Sequence, residues 1–239
     1  MKIQSTTISV QFEAVEDLRL KYLSYKNILK EHFQEPTVLP VADDAPTELP
    51  RIIAVTKNGH SQMTFTKSSV TLTTVYNDGF EDDWEKCRWY IEGKVKILGN
   101  FLHTLSVDRF KYVGLISNIE WESAGNSPTN FLENKLLKKS RKNLEDINIR
   151  YTFIDNDIYY VNILFANSYK LEGNAYFNVA GGLADKGDKY LAISVDVNDR
   201  YAFNMNKNYQ SNISALDEIV KITTREFEKG IDDILETEV

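Results

Sequence analysis

Apolar and polar residues alternate at Ile8, Val10 and Phe12, with Ser9 and Gln11 between them, which predicts a short half-buried strand. The period then lengthens. Val15, Leu18, Tyr22, Tyr25, Leu29 and Phe33 form the stripe of an amphipathic helix. Pro36 restricts the residue before it, so this helix is expected to stop near 32–34. Prolines at 36, 40, 46 and 50 then predict an extended surface loop over about 35–50. From Arg51 the period is two, and 51–56, 61–67 and 70–76 are expected to form an antiparallel meander. Asn58-Gly59 between the first two predicts a tight type I′ turn.

The strongest helical pattern follows. Trp84, Cys87, Ile91, Val95, Leu98, Leu102 and Leu105 make one stripe over about 82–105, with Asp82, Asp83 and Glu85 crowding its start. Gly93 and Gly99 lie off the stripe, each costing about 1 kcal/mol relative to Ala. Residues 110–121 alternate as a long strand. Ser127-Pro128 opens a short helix, Ser as N-cap and Pro at its first position. Strands are expected at 147–154 and 158–166, joined by Asp155-Asn156-Asp157, and at 175–179 and 190–197, with a loop at 180–189. Asn212 or Ser214 caps a last helix with the stripe Leu216, Val220, Thr223, Phe227, Ile231 and Ile234. Hairpins outnumber crossovers. The expected fold class is therefore α+β: a single domain over 1–239, mainly antiparallel in its sheet or sheets, with long amphipathic helices packed on one face. The two halves share a faint order of elements without sequence self-similarity.

Composition narrows the function classes. The 239 residues carry a net charge of −7, which disfavours a nucleic-acid coat or polybasic membrane binder. The single cysteine, Cys87, rules out an intrachain disulfide and favours a reducing cytoplasm. No apolar run approaches the length of a membrane span, so no membrane association is expected.

No catalytic, cofactor or metal spacing emerges. His32, His60 and His103 are isolated, Cys87 sits on the helical stripe as a core thiol, and the acidic cluster before Trp84 fits a helix N-terminus better than a metal loop. Glu92-Gly93-Lys94 has a nuclease-like form but falls inside a helix, and Gly181, Gly182 and Gly187 lack the Gly-Lys-Ser/Thr of a phosphate loop. The most basic segment is a helix read over 131–142, where Lys135, Lys138, Lys139 and Lys142 share one face suited to phosphate contact; a solvated helix side is the competing reading. In the last helix Ile219 and Ile222 widen the stripe. Either both faces are core, or these two meet a partner.

Trp84, Gly114-Leu115, Asn118-Ile119, Phe227 and Ile231 carry a resemblance. The chain resembles a sporadically distributed bacterial family of uncharacterised proteins of about this length. Such proteins have a strand-helix start, a β-meander, a Trp-containing helix, a strand with a Gly-Leu-Arg-Tyr-Ile-Asn-like motif and a C-terminal helix. Here Ile116-Ser117 replaces the motif's Arg-Tyr, and Glu218-Ile219 stands where that family has an early His. The resemblance implies the fold and a bacterial origin, and no activity. The resulting expectation is a non-enzymatic binding or protein-interaction module of a bacterial cytoplasmic assembly, with a protein partner or homo-oligomer. The alternatives are nucleic-acid binding through the basic helix and a hydrolase with a site assembled from distant residues.

Overall fold

The computed structural model describes residues 1–121, 127–137, 144–169 and 189–236, with backbone alone at 24–28, 169, 189 and 236. In chain order the strands are β1 (Lys2–Gln11), β2 (Thr37–Val38), β3 (Ile52–Val55), β4 (Ser61–Phe65), β5 (Ser69–Val75), β6 (Tyr112–Trp121), β7 (Asn148–Asp155), β8 (Tyr159–Tyr169) and β9 (Lys189–Asn198). They form one sheet in the order β2-β3-β4-β5-β1-β6-β9-β8-β7, with every neighbouring pair antiparallel. The helices are α1 (Leu18–Leu29), α2 (Trp84–Thr104), α3 (Pro128–Leu136), α4 (Arg200–Met205), α5 (Ile213–Arg225) and α6 (Ile231–Glu236). A π-helical turn, Glu226–Gly230, joins the last two.

Period-two patterning decides which side of the sheet is core. Ile8 and Val10 on β1, Val113, Leu115 and Ile119 on β6, and Leu191, Ile193, Val195 and Val197 on β9 are all buried on one face. The opposite face pairs Thr64 with Thr71, Gln62 with Thr73, Ser9 with Gly114, and Asn162 with Asp196. An antiparallel sheet can leave such a polar face in water. On the apolar side α5 meets β6 and β9, and α3 meets β8 and β9. The ring of Tyr22 (α1) meets those of Phe65 (β4) and Phe101 (α2) edge to face, and the two phenylalanines are tilted against each other, with centroids 5.1–5.7 Å apart. Ile91, Val95, Leu98 and Leu102 are buried, as the stripe predicts.

The α+β class with an antiparallel sheet is thus present. The helix arrangement differs from expectation in two ways. Only α2 is long and uninterrupted, because the last helix is broken by its π turn. In addition, α4 touches the other side of the sheet: Phe203 meets Tyr112, and Tyr201 meets Tyr160.

Sheet order and element order together show a topological repeat. Outward from the centre, one half reads β1, β5, β4, β3 and the other β6, β9, β8, β7. Apart from β2 and α4, each half of the described chain runs strand, helix, three-stranded meander, helix. The closing helices α2 and α5 pack antiparallel, since Trp84 reaches Thr224 while Gly99 abuts Ile213.

Local chemistry explains the boundaries. Asp83 caps α2, accepting from Lys86 N at 3.2 Å, and this backbone bond is the chief reason its carboxyl lies below the ordinary value. Ser127 caps α3 with Pro128 at its first position. Asn212 caps α5, accepting from Ser214 N at 2.9 Å. Phe33 falls beyond α1 and bridges to Thr56, so the first helix is shorter than its stripe. The Pro-rich segment is held from below. The Arg51 guanidinium donates to the carbonyls of Ala42 and Ala45 at 2.8 and 3.0 Å, and Lys67 Nζ donates to Asp43 O at 2.8 Å. Among the described residues no helix is long and apolar enough to cross a membrane.

Candidate ligand-binding recess

Three segments build a recess at one end of the sheet. The first is the β3–β4 connection. Asn58 keeps a negative φ and Gly59 has φ +77°, so the expected type I′ turn does not form there. The loop is longer, closed by Gly59 N donating to Thr56 O at 2.9 Å and by Thr56 N donating to Ser61 O at 2.8 Å. This brings both Asn58 and His60 to the recess. The I′ signature instead occurs at Asn156 and Asp157, both at positive φ, between β7 and β8.

The second segment follows β5. Asp78 and Gly79 both have positive φ, and Phe80 N donates to Asn77 O at 3.1 Å. The chain doubles back and lays Phe80 against Tyr76, their planes 5° apart and centroids 6.3 Å apart. His60 stacks on Phe80 at 6.4 Å. The third segment is the first half of α2, where Tyr90 meets Phe80 edge to face at 6.1 Å and Trp89 stands 74% exposed beside it.

The recess is open to solvent and has a volume of about 270 Å³, lined by Asn58, His60, Thr74, Tyr76, Phe80, Trp89 and Tyr90. Two separate sets of hydroxyl hydrogen bonds lie beneath its rings. Ser61 Oγ lies 2.8 Å from Thr74 Oγ1 and 3.0 Å from Tyr90 Oη, and Tyr76 Oη lies 2.8 Å from Thr6 Oγ1. Burial raises the Tyr76 phenol above its ordinary value. For Tyr90 burial acts in the same direction but is outweighed. Hydrogen bonds with Ser61 and Asn58, and the Lys94 ammonium 4.7 Å from its ring, hold Tyr90 below the usual value. Cys87 lies behind the recess, its Sγ donating to Phe80 O at 3.2 Å. Burial, with Asp83 and Glu81 adding to it, pushes this thiol up to about 12, as befits a core residue rather than a nucleophile.

The corresponding end of the other half carries hydrogen-bonded charged groups. There Asp199 accepts from Val113 N at 2.7 Å and from Tyr209 Oη at 2.8 Å, and Arg225 reaches Asp155 of the β7–β8 hairpin at 3.2 Å.

The residues singled out from the sequence lie elsewhere. Lys135 is exposed near the end of α3, and Leu137 beyond it is extended, so an unbroken helix over 131–142 does not form. Lys138, Lys139 and Lys142 lie outside the described residues, as do the strand expected at 175–179 and the glycines at 181, 182 and 187. Ile219 and Ile222 are 0% and 3% exposed. The wide stripe of α5 is therefore core on both sides, covered by α2 and the sheet, and neither isoleucine is a surface for a partner. His103 faces a larger cleft of about 570 Å³, its Nδ1 2.5 Å from Asp108 Oδ1, but those side chains are 78% and 62% exposed. Such surface pairs contribute little. The clearest sequence signal for the recess is aromatic density: Tyr76, Phe80, Trp84, Trp89 and Tyr90 fall within 76–90.

No protein-family model matches the chain, and no curated protein matches it.

Proposed function

We propose that this chain is a non-enzymatic binding module and that it engages its partner through the aromatic recess. The observation that supports this reading is the exposed indole of Trp89 beside a cavity whose other walls are fixed rings and hydroxyls. An indole so exposed forfeits burial that a core position would provide, and contacts with a ligand would restore it. The rest of the recess is preorganised: Phe80 is held by its turn, Tyr90 by α2 and Ser61, and Tyr76 by Thr6. Little ordering then remains to oppose binding. The volume suits one ring system, carried either by a free compound or by a side chain of a protein partner.

The test is thermal unfolding of the intact chain with a panel of one- and two-ring aromatic compounds. A ligand at 100 times its Kd stabilises by about 2.7 kcal/mol, a rise of about 5–10 °C for a domain of this size. The expected result is such a rise for wild type and none for Trp89→Ala. No rise for any compound, or an equal rise in the variant, would contradict the proposal.

A further inference from the structure

We infer that the recess takes a neutral planar heteroaromatic ring with an amide-like edge, of the size and chemistry of a nucleobase; the inference rests on the reading of the recess as the binding site. Size comes first. A volume of about 270 Å³ falls just below the span of about 300–1,000 Å³ usual for drug-sized ligands, which leaves room for one ring system. The walls are π faces, and stacking on such faces accepts any base.

Charge comes second. Among the described residues no carboxylate lines the recess, and the Lys94 ammonium already lies over the Tyr90 ring. A quaternary or primary ammonium ligand would meet that cation with no counter-charge, so the cation-binding use of an aromatic cage does not fit. A neutral ring, or one carrying an anionic substituent, does.

The edge comes third. Asn58 is exposed at the mouth, its Nδ2 3.5 Å from Tyr90 Oη and its Oδ1 accepting from His60 N. A side-chain amide carries a donor and an acceptor side by side, the complement of a purine edge. His60 and Trp89, which carry an imidazole and an indole N–H, line the same recess. Gly93 follows Trp89 by one helical turn, and a Cβ there would meet nothing within 4 Å. Trp89 itself is 74% exposed.

Calorimetric titration of the intact chain tests this, with adenosine, indole and tetramethylammonium as probes and with a short oligodeoxyadenylate as a fourth. Trp89 and Asn58 are both exposed, so Trp89→Ala and Asn58→Ala keep the fold, and Trp89→Phe keeps a stacking ring. Adenosine is expected to bind saturably. Trp89→Ala should weaken it about 10-fold or more, Trp89→Phe much less, and Asn58→Ala about 10-fold for adenosine with indole unchanged. Equal affinity for adenosine and the oligonucleotide supports a free nucleoside as ligand. Tighter, strongly salt-dependent binding of the oligonucleotide with the same Trp89 dependence supports a base carried on a strand. Binding of indole but not adenosine, lost in Trp89→Ala, overturns the amide-edge inference and leaves the recess as a binding site. Trp89-dependent binding of tetramethylammonium overturns the neutral ring. Absence of binding by every probe overturns both the inference and the reading beneath it.

Discussion

The indole Nε1 of Trp84 donates to Thr224 Oγ1 at 3.1 Å, joining the first residue of α2 to the last turn of α5 across 140 positions of sequence. The same indole meets the Phe227 ring at 4.3 Å, in the π turn that follows α5. Trp84 thereby couples the closing helices of the two halves. Trp84→Phe keeps most of the ring contact and loses the hydrogen bond, with an expected cost of about 1 kcal/mol. Trp84→Ala loses both, with an expected cost of about 3 kcal/mol. Urea unfolding measures each, and equal effects of the two variants would show that the ring contact contributes nothing.

Arg51 is 1% exposed, and its guanidinium is held by backbone carbonyls of the Pro-rich segment. Arg51→Ala leaves those carbonyls without their donor and empties a buried site. A loss of about 2–4 kcal/mol is expected, together with faster proteolysis within residues 39–50. Proteolysis at the wild-type rate would mean that the prolines alone fix the segment.

The two off-stripe glycines of α2 separate cleanly. A Cβ at Gly93 meets nothing within 4 Å, so Gly93→Ala should stabilise by about 1 kcal/mol. A Cβ at Gly99 would lie 3.0 and 3.1 Å from Cγ1 and Cδ1 of Ile213, so Gly99→Ala should forfeit that gain to repacking between α2 and α5. Thermal unfolding of the two variants side by side checks the contrast.

Asp199 gives the fold a pH dependence of known sign. Burial, the largest influence, raises its carboxyl, against hydrogen bonds from Val113 N and Tyr209. A carboxyl whose folded value exceeds its unfolded value holds its proton more tightly in the folded state. Its favourable contribution is complete below the unfolded value of about 3.9 and is lost as pH rises through the folded value. The stability of wild type minus that of Asp199→Asn should therefore fall as pH rises from about 4 towards neutrality. A difference that is flat or rises over that range contradicts the assignment.

The parts of this fold legible in sequence are those where one periodicity serves one face. The stripe Ile91, Val95, Leu98 and Leu102 and the alternation of β6 read directly because each packs against a single apolar surface. The last helix reads as one continuous element because Thr223, Phe227 and Ile231 keep helical spacing. The π turn instead lays the Glu226 carboxylate against Gly230, where a Cβ would lie 1.9 Å from Oε2. Helix α4 has too few residues to show a period. The recess was illegible for a related reason. Asn58 and His60 lie in a turn, Phe80 in a loop, Trp89 on the side of α2 away from its stripe and Tyr90 at the stripe's edge. No one period relates residues that only the doubling back at Asp78-Gly79 brings together.

The central claim is that the recess is a binding site, and the Trp89 indole is its most direct reporter. In a two-dimensional ¹⁵N–¹H spectrum the three tryptophans give three Nε1–H peaks, and the Trp89→Phe variant identifies the one from Trp89. On titration with adenosine that peak should move saturably while those of Trp84 and Trp121 stay in place. Three unmoved peaks at millimolar adenosine and indole, or equal shifts at all three, would contradict the account.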